Sequence, residues 1–270
     1  MKRFSAEQLA NLPTLEQIQA EKCRRDALSF ARTTGIDELD EWQQKLLNWT
    51  VYGQTQGLIL NCARQSGKST ISSVAAVFLA NYLSDYLIIL ISPSQRQSSE
   101  LFRKCREAIK RTSVPIQLDE DNQLSCMMNN GSRIVSLPGS EKTVRGYSGA
   151  KLIIEDEASR VDDELYNATR PMLAVSQGRH ILMSTPFGKR GHFYEAWENG
   201  GDRWERIKFT AWENKRISKE FLEDERKNIG EWWFRQEYEC EFMDSIDSVF
   251  NSDLVRAAIT DEIDPLFEVK

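Results

Sequence analysis

Histidine is almost missing from this chain, with two among 270 residues. Cysteine is sparse as well: Cys23, Cys62, Cys105, Cys126 and Cys240 are scattered, with no C-x-x-C pair. Structural zinc needs a closed cluster of such ligands, so the scarcity argues against a zinc site. Unpaired, scattered thiols fit a reducing compartment rather than a disulfide-stapled secreted domain. No run approaches the roughly 18 uncharged apolar residues that a membrane helix needs. The opening stretch "MKRFSAEQLANLPTLEQ" has no apolar signal core. Both gaps point to a cytoplasmic chain with no membrane partner. Basic excess is also lacking. A net charge of −6 disfavours a protein that coats nucleic acid with its whole surface.

What is present is an ordinary globular mixture, 40% hydrophobic and 28% charged. Its length suits one large domain or two small ones. The first fifty-odd residues read as helical, with Leu15, Ile18, Cys23, Leu28 and Phe30 in a loose helical period. A further helix begins after Asp40 and carries Trp42, Leu46, Leu47 and Trp49. The texture then changes to short apolar strands alternating with helices. "GLILNCA" (57–63), "YLIILIS" (86–92), "AKLIIEDEAS" (150–159) and "RHILMSTPFGK" (179–189) read as strands running into loops. "KSTISSVAAVFLANYLS" (68–84) reads as a buried helix, and 93–111 as another. Turn signals at Asp121-Asn122 and Asn129-Asn130-Gly131 mark extra antiparallel strands. The pattern predicts an α/β fold with a mainly parallel sheet covered on both faces, its binding residues beyond the carboxyl ends of the strands. Residues 221–244 read as a helical segment dense in charge and aromatics.

Chemistry concentrates in "NCARQSGKST", residues 61–70. Gly67-Lys68-Ser69-Thr70 ends like the phosphate-binding loop G-x-x-x-x-G-K-[ST], but Cys62 stands where that pattern has its first glycine. Such a loop works through backbone N–H groups at a helix N-terminus, here those of Gln65, Ser66, Gly67, Lys68, Ser69 and Thr70. Lys68 would neutralise β/γ-phosphate charge, and the Ser69 hydroxyl would bind Mg2+. An apolar strand ending in Asp156-Glu157 supplies the acids that partner such a loop, Asp156 for the metal and Glu157 for the attacking water. Glu155 interrupts the apolar run and leaves that register open by one residue. Ser184-Thr185 at another strand end could place a hydroxyl beside the γ-phosphate, although the stretch alone is a generic strand-to-turn signal. Arg145, in a turn-prone loop, has the setting of an arginine finger. Gln43, ahead of the first strand, offers a donor and an acceptor that match an adenine edge. The basic stretch from Gln95 to Arg111, six cations against two acids, reads equally as a solvated helix face or a nucleic-acid track.

Taken in order, "WQ", "ARQSGKST", "SPSQRQSSELF", "RGYSG", "LIIEDEA", "STPFG" and "FRQEYECEF" resemble the ATPase domain of the large terminase subunit of tailed bacteriophages. The resemblance covers roughly Trp42 to Phe242. It implies a P-loop NTPase fold using ATP and Mg2+, and a motor that drives double-stranded DNA into a procapsid. It implies partners as well: a homo-oligomeric ring of the same chain, the small terminase subunit and the portal, all in a host cytoplasm. By resemblance Gln43 (or adjacent Gln44) contacts adenine, Asp156 and Ser69 hold the metal, Glu157 is catalytic, and Ser184 and Thr185 form the coupling motif. Arg64 matches the family's arginine within the loop, and Arg145 a finger inserted by a neighbouring subunit; which of the two is the main finger stays open. The expected organisation is a helical segment over 1–55, a P-loop ATPase core over 56–212, a helical subdomain over 213–245 and a linker over 246–270. The expected chain is a motor without nuclease activity, and Asp253, Asp261, Glu262 and Asp264 read as linker charge. Two other readings remain: a helicase-like or remodelling ATPase, for which too few residues follow Thr185 to build a second motor domain, and a nucleotide-gated assembly protein with little turnover.

Overall fold

A computed structural model describes residues 14–137 and 146–244. Three helices come first: α1 (Leu15–Arg25), α2 (Ala27–Thr33) and α3 (Glu41–Tyr52). Each starts where the sequence supplies a cap. The Thr14 hydroxyl accepts the Gln17 N–H at 3.2 Å, and the Asp26 carboxylate accepts those of Leu28 and Ser29. At α3, Gln43 Oε1 reaches back 3.0 Å to accept the Asp40 N–H.

The sheet and its helices follow: β1 (Gly57–Cys62), α4 (Lys68–Tyr82), β2 (Leu87–Ile91), α5 (Gln95–Arg111), β3 (Leu118–Asp121), β4 (Ser125–Met128) and β5 (Arg133–Ser136). Then come β6 (Leu152–Asp156), α6 (Asp163–Ala174), β7 (Arg179–Ser184), α7 (Gly191–Asn199), β8 (Trp204–Phe209), α8 (Lys219–Ile229) and α9 (Glu231–Glu237). The strands form one sheet in the order β3-β4-β5-β2-β6-β7-β1-β8. From β5 to β8 every neighbouring pair is parallel, while β3-β4 and β4-β5 are antiparallel. This is the mainly parallel, helix-flanked sheet with added antiparallel strands that the sequence predicts.

Strands β1, β2 and β6 are buried along their whole length and mostly apolar, the polar exceptions Asn61, Glu155 and Asp156 falling near their carboxyl ends, because helices cover both faces. On one face α4 packs against Leu58, Leu60, Ile88, Ile154 and Ile181. Its outward side is covered in turn by the N-terminal helices, with the Phe30 ring 5.6 Å from that of Phe78. That second cover explains why α4 is apolar all round. Leu165 and Met172 of α6, and Phe193 and Ala196 of α7, cover the other face.

Two sequence expectations change. The helical segment over 221–244 is two helices, α8 and α9, separated by Gly230 at φ +82°, a left-handed conformation that breaks the helical path. After Glu237 the chain leaves the helix and runs beside β1 and β8: Ala211 N–H donates to the Tyr238 carbonyl (2.7 Å), and Asn61 Nδ2 to that of Cys240 (3.0 Å). Strand β8 at the sheet edge is an element the sequence pattern does not mark: Ile207 and Phe209 are buried with Lys208 exposed between them, but Glu205, on the same side as Ile207, is exposed. No helix among the described residues is long and apolar enough to cross a membrane. Arg145, the part of its loop up to that residue, and the linker acids Asp253, Asp261, Glu262 and Asp264 lie outside the described residues.

Candidate functional site

The loop after β1 explains the missing glycine. Cys62 is the last residue of β1, its side chain buried in the main core. Left-handed backbone falls instead at Gln65 (φ +57°) and Gly67 (φ +89°). Only Gly67 therefore carries the glycine requirement, as the residue that turns the chain into α4. Burial pushes the Cys62 thiol up to about 12, so it stays neutral and acts as packing.

Strand order then brings the acids in. β7 lies between β1 and β6, so the ends of β1, β7 and β6 line up at one edge. Along β6, Leu152 and Ile154 share the α4 face, and Asp156 follows them by the period of two. Ser69 Oγ donates to Asp156 Oδ2 at 2.8 Å. Lys68 Nζ lies 3.1 Å from Glu157 Oε1. Glu155 points to the opposite face, toward α6 and α7, which resolves the open register: Asp156 and Glu157 are the pair at the loop.

Charge in this pocket is tightly balanced. Burial works against the Lys68 ammonium, but Glu157 and Asp156 outweigh it and raise its pKa above that of an ordinary lysine. Asp156 is raised as well, because its own burial exceeds the pull of Lys68, and Glu157 adds like-charge repulsion. A carboxylate raised by burial beside a hydroxyl gains from a further cation, and two hard oxygen donors suit magnesium. Ser66 Oγ is buried with no hydrogen-bond partner among the described residues. Glu157 itself holds φ +54°, an uncommon conformation for a residue with a long side chain.

The remaining expected residues are placed unequally. Gln43 is buried, and its Nε2 lies 3.5 Å from where a Cβ on Gly67 would stand, so it backs the loop while its carbonyl caps α3. Gln44 is exposed and donates to the Leu39 carbonyl. Thr185 Oγ1 donates to the Cys62 carbonyl at 3.1 Å, and the Ser184 hydroxyl lies 2.7 Å from that of Ser159. Thr70 and Gln65 are exposed at the mouth of the loop. Arg64 turns outward, its side chain 63% exposed, and its Nε donates to Glu237 Oε2 at 2.5 Å. Of the basic residues on α5, Arg103 pairs with Glu100 and Glu107, and Arg106 with Asp121, leaving part of the expected track locally neutralised.

Sequence reasoning missed Arg216 and Glu237. Arg216 Nη2 donates to the Ser66 carbonyl and to Asp40 Oδ2, both at 3.0 Å, tying the loop to the entrance of α3. Its partners lie 150 and 176 residues away, and no local pattern signals such a contact. A separate cleft of about 1410 Å3, lined by Tyr166, Arg170, His180 and Arg203, opens where β1 and β7 begin, at the far ends of the strands from the loop.

A family model described as "Terminase large subunit, T4likevirus-type, N-terminal" matches residues 59–256. The chain belongs to the terminase large subunit family. The terminase large subunit of Thermus phage G20c is 29% identical over 224 residues, covering 70% of this chain and 46% of that protein. That of Escherichia phage T5 is 26% identical over 190 residues, covering 67% and 42%. The chain thus spans about half the length of the curated terminases it matches. Among solved structures, the large terminase ATPase domain of Thermus phage P74-26 superposes with a TM-score of 0.66 at 21% identity, covering 76% of this chain and 94% of that one. The large terminase of a second thermophilic bacteriophage, in complex with ADP, gives 0.65 at 11% identity, covering 76% and 54%. These likenesses establish the P-loop NTPase fold of terminase ATPase domains.

Proposed function

We propose that this chain hydrolyses ATP as the motor part of a terminase large subunit, coupling hydrolysis to movement of double-stranded DNA into a procapsid. The observation that carries the reading is the meeting of Lys68 and Ser69, at the start of α4, with Asp156 and Glu157 at the tip of β6. In this reading the N–H groups from Gln65 to Thr70 cradle phosphate, and Gln43 braces the loop from the adenine side. Lys68 leaves Glu157 for the β/γ-phosphates. Ser69 and Asp156 would hold Mg2+, which would supply charge neutralisation at the phosphates. Glu157, once released, accepts the proton of the attacking water at a carboxylate oxygen. Thr185, bonded to the Cys62 carbonyl at the end of β1 where the loop begins, follows displacements of the loop's first residues. Arg64 serves phosphate from within the subunit after leaving Glu237, and Arg145 from a neighbour in a homo-oligomeric ring.

The proposed organisation keeps a helical segment over 1–55, an ATPase core over 56–212, a helical subdomain over 213–245 and a linker over 246–270. Small terminase subunit and portal are the proposed partners in a host cytoplasm. The remaining cations of α5 form one candidate DNA face, through sequence-independent phosphate contacts. The test is ATP turnover per chain against protein concentration, for the parent and Arg145→Ala. Turnover per chain should rise with concentration, and the substitution should cost the assembled form about 10³-fold or more while sparing the dilute monomer. Absence of turnover at every concentration would refute the ATPase reading, and equal loss in both forms would refute the finger in trans.

A further inference from the structure

Both histidines of the chain meet one buried carboxylate. Glu155 is fully buried on β6, with Oε1 2.5 Å from His192 Nε2 and Oε2 3.3 Å from His180 Nε2. The other nitrogen of His192, Nδ1, lies 3.0 Å from Asp163 Oδ1, and the same oxygen accepts the His192 backbone N–H at 2.8 Å. A carboxylate oxygen thus faces each ring nitrogen, an arrangement that suits donation by both ring N–H groups. Tyr166 stacks on it, centroids 4.2 Å apart and planes 8° apart.

The two carboxylates lie on either side of Glu157: Glu155 two residues before it, Asp163 six after. Between them run the left-handed Glu157 and the short turn Ala158–Arg160, whose Arg160 N–H donates to the Glu157 carbonyl at 2.9 Å. His192 sits at the start of α7, on the segment that leaves β7. That segment is tied to the same turn a second time, because Ser159 Oγ donates to the Thr185 carbonyl at 2.8 Å and accepts from Ser184. A residue in a sparsely populated backbone conformation persists only where its surroundings over-determine it. We infer that His192 is a positioning residue for Glu157: it bonds a carboxylate on each side of the turn that carries Glu157 and locks that turn to the segment after β7. The role in catalysis rests on the proposed ATPase reading; the clamp itself does not. Apolar side chains could fill the same space without desolvating charges, but they could not fix the direction of the turn.

The deciding variant is E155M/H192F in the whole chain. It keeps volume and the stack on Tyr166 while removing every directed bond of the clamp except the backbone one to Asp163. The variant should melt at or above the parent temperature, since replacing a buried ion pair by packed apolar groups is often neutral or stabilising. The KM for ATP should stay within about twofold while kcat falls about 10–100-fold. In the nucleotide-free chain, hydrogen exchange at the Glu157, Arg160 and Val161 amides should accelerate about tenfold. Unchanged exchange at those amides, or unchanged kcat in a folded variant, overturns the assignment. A parent without turnover removes the ATPase reading and the catalytic half with it, and exchange still decides the clamp. If the double variant fails to fold, His192→Gln, which can donate to only one of the two carboxylates, is read by the same measurements.

Discussion

Lys68 Nζ lies 3.1 Å from Glu157 Oε1, so the loop lysine and the strand-tip glutamate neutralise each other across the site. In the proposed reading neither would serve phosphate or water while it holds the other, and entry of a polyanion would draw Lys68 away and free Glu157 in the same movement.

Lys68→Ala should abolish ATP turnover, by at least about a hundredfold, because its ammonium is the charge that meets the acidic tip at the start of α4. Steady-state phosphate release from the purified chain checks this. Turnover within a few-fold of the parent would take the phosphate site away from this loop.

Glu157→Gln should keep nucleotide binding and lose hydrolysis by about 10²–10⁴-fold, the usual contribution of a positioned general base. Titration with a fluorescent nucleotide beside single-turnover hydrolysis separates the two. Equal loss of both would move the water-activating role to another side chain.

Glu237→Ala should tighten nucleotide binding a few-fold, since Arg64 would no longer have to leave an ion pair. Its effect on stability should be small, about 1 kcal/mol or less, because Arg64 is largely exposed and solvent screens the pair. Calorimetric titration and a melting curve give the two answers. Weaker binding would mean that Glu237 holds Arg64 where it is needed.

The buried clamp gives a pH dependence of definite sign. Burial opposes the charge on His192, but Glu155 and Asp163 outweigh it and raise its pKa above 6.5. A raised folded pKa means stability fully present below the unfolded value and lost as pH rises through the folded one. Glu155 is the converse: burial pushes it up, the two histidines outweigh that, and it is held at about 2, so its share is lost only in strong acid. Glu155, Asp163 and Tyr166 face His192, and His180 lies against Glu155 and Tyr166. As pH rises above about 6.5 the parent should therefore lose melting temperature relative to E155M/H192F, which lacks the titrating ring. Parallel melting curves over that range would show that His192 carries no extra proton in the folded state.

The sequence alone determined the elements whose causes are local. Apolar runs became β1, β2, β6 and β7, each strand lying inside the stretch read for it, the mostly apolar stretch after Lys68 became α4, and turn signals marked the antiparallel strands. Lys68, Ser69, Asp156 and Glu157 were legible because loop and acidic tip each carry their chemistry in consecutive residues. The edge strand β8 carries only a brief alternation, Ile207 and Phe209 buried around an exposed Lys208, too short to mark a strand by itself. Other features had no local cause. Whether Asp156 or its neighbour Glu155 faces the loop depends on which sheet face α4 covers, since adjacent strand residues point to opposite sides. The outward turn of Arg64 to Glu237, the tie from Arg216 to Ser66, and the meeting of two distant histidines at Glu155 depend on packing across 173, 150 and 37 residues or fewer. Residue types set which side chains are able to bond; only the folded chain decides which come within reach, because the energy of a buried ion pair depends on what else surrounds it.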